Sequence, residues 1–126
     1  MDNPVRAACV VATALAFSSA AAHHASNLDY DQSKTGTIAG VVDDIFWANP
    51  HIHFYLTVTN DEGSTETWDM EGPNLNSLRR RGVSRDSVRI GEAIEVTGTL
   101  GRDGTKRIWA QTISKADGTL VMGAPR

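Results

Sequence analysis

All four histidines of this 126-residue chain come in two pairs, His23-His24 and His51-x-His53. Imidazole is the commonest transition-metal ligand, so two pairs could together form one nitrogen-rich site. His51 and His53 lie two apart on an expected strand, which sends both side chains from the same face toward a common ion. His23 and His24 directly follow Ser18-Ser19-Ala20-Ala21-Ala22, the small residues that a signal peptidase needs. A cut after Ala22 leaves His23 as the first residue, its amine and imidazole able to chelate one metal. A cut one or two residues earlier places an imidazole at position three, where amine and amide nitrogens can complete a square plane around copper(II) or nickel(II).

The candidate metal ligands are therefore His23, His24, His51 and His53, with copper the first choice of ion. Two strand imidazoles alone are too few for a closed tetrahedral zinc site. Met70 and Trp47 could add a soft sulfur and an indole face suited to copper(I), although core filling is the ordinary role of both types. Each histidine pair likewise has an ordinary reading, as exposed or hydrogen-bonded polar residues. The rival function is a metal-free module that grips a carbohydrate, peptide or protein with Trp47 and Tyr55. Asp69 and Glu71 share a strand face but have no proton-shuttle partner visible in the sequence, and no nucleophile-elbow motif occurs. A binding protein is expected rather than an enzyme.

The elements that must position these groups begin after a leader. Arg6, the apolar run from Ala7 to Phe17 and the small residues behind it read as a signal peptide over 1–22. That run is shorter than the ~20 residues a membrane-crossing helix needs. A periplasmic or secreted protein with no membrane span after cleavage is expected. Cys9, the single cysteine, falls inside the leader, so the remaining chain has no disulfide or thiolate chemistry. About a hundred residues remain, enough for one hydrophobic core and too few for two. The net charge of -3 and the short Arg79-Arg80-Arg81 run argue against a nucleic-acid-tracking surface.

Residues 23–34 are polar and read as an extended N-terminal segment, with the folded domain over 35–126. Thr35 to Trp47 is a strand whose apolar phase shifts at Asp43-Asp44, a signature of a bulge. His51 to Thr59 alternates, with Ile52, Phe54, Leu56 and Val58 facing in. Asn60-Asp61-Glu62-Gly63 turns it into a strand over Ser64 to Met70. A short helix between Pro73 and Gly82 carries Leu75 and Leu78 as an apolar plug. Ala93 to Leu100 and Arg107 to Ser114 are two further strands, and Thr119 to Met122 is a tail strand. Three strands, a helix and two strands is the order of an oligonucleotide/oligosaccharide-binding (OB) barrel. The expected fold is mainly β: a small five- to six-stranded OB-like Greek-key barrel with one short helix between strands 3 and 4. A small Greek-key sandwich is the alternative.

His23-His24, Tyr30-Asp31, Trp47-Ala48-Asn49-Pro50-His51, Glu71-Gly72-Pro73, Leu78-Arg79-Arg80-Arg81-Gly82, Ser84-Arg85-Asp86-Ser87 and Gly91 leading to Val96-Thr97-Gly98 carry a family resemblance. The chain resembles small secreted bacterial proteins grouped as an uncharacterised domain family. The Asn-Pro-His and Glu-Gly-Pro segments are its most specific parts. The resemblance implies secretion and a small β domain, and brings no activity, substrate or catalytic residue with it. In layout alone, without a shared motif, the chain is also similar to periplasmic copper-carrying barrels that use histidine, methionine and tryptophan.

Overall fold

The computed structural model describes residues 26–123; residues 1–22, read above as a signal peptide, and the His23-His24 pair lie outside them. One helical turn, α1 (Ser26–Asp29), leads into a 17-residue strand, β1 (Tyr30–Phe46). Then follow β2 (His53–Thr59), β3 (Thr65–Glu71), α2 (Leu75–Arg80), β4 (Ala93–Gly101), β5 (Arg107–Lys115) and β6 (Leu120–Met122). β1 pairs antiparallel with both β2 and β4, and a short parallel pairing of β3 with β5 closes the ring. This is the OB-like barrel with its helix between β3 and β4. β6 extends the sheet beyond β5.

The alternation read from the sequence holds because one face of each strand fills the barrel. Phe54, Leu56 and Val58 of β2, Met70 of β3, Ile94 and Val96 of β4, and Ile108, Ala110 and Ile113 of β5 are buried together. The β1–β2 register shifts between Val42 and Asp44, the bulge needed to turn Val42 and Ile45 toward a common interior. Leu78 is fully buried and Leu75 packs beside it, so α2 does plug the barrel. Asn74, not Pro73, caps this helix: its side chain accepts from the Ser77 amide, and Asn49 Oδ1 accepts from the Leu75 amide at 3.0 Å. Gly82 ends the helix at φ 76°, a conformation glycine adopts without a Cβ penalty.

The boundary at Thr35 needs correction. Tyr30 already belongs to β1, paired with Gly101, and it is 1% exposed. Between Tyr30 and Thr35 the strand gains residues over its partner, which runs only from Gly101 to Thr99. Polar residues 31–34 bulge outward, where Asp31 accepts from the Ser33 amide and hydroxyl and pairs with Lys34. Their polarity reflects this bulge, and Tyr30 anchors the chain ahead of it.

Candidate functional site

Met70 faces the interior, so its neighbours Asp69 and Glu71 both point to the outer surface. Parallel pairing sets Arg107 of β5 beside Asp69 and Trp109 beside Glu71. Antiparallel pairing sets Tyr55 and His53 of β2 on their other side. The result is a polar and aromatic cluster on the outside of a barrel whose inside is apolar.

Glu71 is its centre, at 8% exposure. Its Oε2 accepts from the Tyr30 hydroxyl at 2.6 Å, and its Oε1 lies 2.6 Å from Nδ1 of His51. Arg107 Nη2 approaches Oε2 at 3.4 Å. Asp69 repeats the arrangement one step along: its Oδ1 lies 2.8 Å from Nδ1 of His53. Arg107 Nε is 3.5 Å from Asp69 Oδ2, but it is buried without an aligned hydrogen bond. That contact is charge attraction rather than a bond. Arg107 Nη1 also reaches Asp29 at 3.5 Å, tying α1 to the cluster.

A carboxylate only accepts, so the nitrogen facing it must carry the hydrogen. Both rings therefore donate through Nδ1, and in the neutral ring the lone pair lies on Nε2. This carboxylate–imidazole pairing is how metal-binding histidines are commonly oriented. Three carboxylates, Asp29, Asp69 and Glu71, meet one guanidinium. With neutral imidazoles the cluster carries two net negative charges, a field that draws cations.

Aromatic rings frame the site. Trp109 meets His51 edge-on at 5.0 Å and Tyr30 edge-on at 6.0 Å. Arg107 lies over the Tyr30 ring at 5.5 Å. His53 stacks on Tyr55 with 14° between planes, and Phe46 approaches it from β1 at 6.1 Å. Burial, then the hydrogen bond that the phenol donates to Glu71 and the charge of that carboxylate, hold the Tyr30 phenol far above its ordinary pKa.

Each sequence candidate has a definite place. His51 and His53 share the outer face, on separate carboxylates; His23 and His24 fall outside the described residues. Met70 is fully buried in the core, on the opposite face, so its sulfur takes no part. Trp47 is half-buried against the core, whereas Tyr55 is 37% exposed. Among the described residues no group of three or more His, Cys, Asp or Glu side chains is arranged to hold a metal ion.

Sequence reasoning missed the roles of Tyr30 and Arg107, and treated Asp69 and Glu71 as a pair without partners. The partners are the very histidines weighed separately. One signal was available: the Asn-Pro-His and Glu-Gly-Pro segments meet in space. His51 bonds Glu71, the Gly72 amide donates to the Ile52 carbonyl at 2.9 Å, and a Cβ on Gly72 would crowd Ile52.

Among solved structures, the chain is similar to a small single-stranded DNA-binding protein from Streptomyces coelicolor, with 21% identity and a TM-score of 0.48, over 65% of this chain and 90% of that one. No curated protein matches the chain. No helix among the described residues is long and apolar enough to cross a membrane. A family profile covers residues 10–109, ending within β5, and the chain belongs to that family, DUF6152, whose function is unknown.

Proposed function

We propose that this is an exported, non-enzymatic binding domain that holds a transition-metal ion, copper(II) first, on Nε2 of His51 and His53 with His23 and His24 completing the site. The observation that carries the reading is the paired donation of both imidazoles to carboxylates, which directs both Nε2 lone pairs away from Asp69 and Glu71. The surplus negative charge favours a cation over an anionic ligand. With Met70 sealed in the core, the available donors are nitrogen and oxygen, which suit copper(II) better than copper(I). The N-terminal pair is tethered to the cluster: Asp29 touches Arg107, and four residues separate it from His24.

The test is copper(II) and zinc(II) titration of the exported protein, its N-terminus first determined by sequencing. Parallel titrations use His51→Ala/His53→Ala and His23→Ala/His24→Ala. Each double variant is expected to lose at least about tenfold in copper affinity, and the copper(II) paramagnetic resonance spectrum to lose imidazole nitrogen couplings. A wild-type affinity no tighter than that of a peptide copying the first mature residues defeats the proposal.

A second reading rests on its own observation. Phe46 is 51% exposed and forms a row with His53 and Tyr55 on the outer face. Such a row offers a flat apolar face to a sugar ring or a peptide side chain. Phe46 replaces Trp47 in that role. Loss of ligand binding in Phe46→Ala, with copper binding intact, would support this reading over the first.

A further inference from the structure

We infer that Tyr30 is the latch through which docking of the N-terminal arm (Ser26–Tyr30) and metal occupancy of the imidazole site control each other, an inference that rests on the metal reading above. One carboxylate joins the two events. Glu71 accepts from Tyr30 with one oxygen and from His51 with the other, both at 2.6 Å. Tyr30 thereby fixes the rotation of Glu71, and Glu71 fixes the tautomer and ring orientation of His51. Trp109 reinforces this from below, because the same indole meets the Tyr30 and His51 rings edge-on.

The described contacts hold the arm at its last two residues. Asp29 reaches Arg107 at 3.5 Å, and Tyr30 pairs with Gly101 at the far end of β4. Beyond Tyr30 the chain bulges until pairing resumes at Thr35. Leu28 is exposed and the Tyr30 ring is buried, so of these two apolar side chains it is Tyr30 that seats the arm. An arm released at Tyr30 would leave Glu71 free of its best-aligned neutral donor and free to rotate away from His51. Linkage then requires the converse: a ligand that needs His51 held must favour the docked arm by the same factor.

Tyr30→Phe isolates the latch because it keeps the buried ring and removes only the hydroxyl. Copper(II) titration is combined with hydrogen exchange of the amides around residues 28–36, on the full chain, with and without copper(II). The variant is expected to bind copper(II) about tenfold more weakly, the usual effect of losing an outer-shell partner. Copper(II) should slow exchange of the arm in wild type and have a much smaller effect in the variant. Wild-type affinity in Tyr30→Phe overturns the coupling, whether or not the arm exchanges faster, and leaves the metal site standing. A wild-type chain that takes up no copper(II) overturns both.

Discussion

Glu71→Gln tests the centre of the cluster with almost no change of shape. The carboxylate serves two close donors with two oxygens, whereas an amide offers one oxygen and an NH2. Tyr30 and His51 must then compete: either the phenol turns to accept, or the imidazole moves its hydrogen to Nε2 and loses the outward lone pair. Charge-assisted bonds stabilise by about 1.5–3 kcal/mol and neutral ones by about 0.5–1.5, so each of the two bonds weakens by about 1 kcal/mol. Relief of burying a charge offsets part of this, and the half-exposed side of His51 screens its share. A net loss of about 1–2 kcal/mol remains, a fall in Tm of roughly 5–15 °C for a domain of this size. Thermal unfolding followed by circular dichroism measures it, and copper(II) titration of the same sample should show weakening of about tenfold or more. A Tm within about 2 °C of wild type would refute the view that Glu71 organises this face.

Three further outcomes follow from the geometry. The folded phenol of Tyr30 has its pKa raised above the ordinary 10.0, so the unfolded chain releases this proton first as pH rises. Its stabilisation is therefore present below pH 10 and declines above it, and urea midpoints between about pH 9 and about pH 11 should fall less steeply in Tyr30→Phe than in wild type. Gly98→Ala would place a Cβ 1.9 Å from the Trp109 carbonyl oxygen, so the β4–β5 pairing must separate, at a cost of about 3 kcal/mol or more in denaturant unfolding. Leu78→Ala removes the fully buried plug of the barrel and should lower stability by about 2–5 kcal/mol in the same assay.

The barrel was legible because its signals are local. Alternation at period two marked the inward residues of β2 and β4, and the phase change at Asp43-Asp44 marked the bulge in β1. Leu75 and Leu78 marked a helix with one apolar face. Each pattern expresses a single strand or helix dividing its residues between core and water, and adjacent residues suffice to read it. Tyr30 escaped because the polar residues that follow it look like unpaired chain. They are polar because they bulge, and the bulge exists only once β4 is alongside.

Sequence alone determined the fold class, the inward face of each main strand and the pairing of histidines that drew attention to one chemistry. Tertiary structure alone decided what those histidines touch. Closure through β3 and β5 brings Arg107 and Trp109 beside Asp69 and Glu71, while β2 and the segment that leads into it deliver His53 and His51 to the same carboxylates. Met70, adjacent in sequence to both acids, is removed to the core because neighbouring strand residues face opposite ways. Proximity across a closed sheet depends on register and ring closure, and neither is written in the order of residues along any one strand.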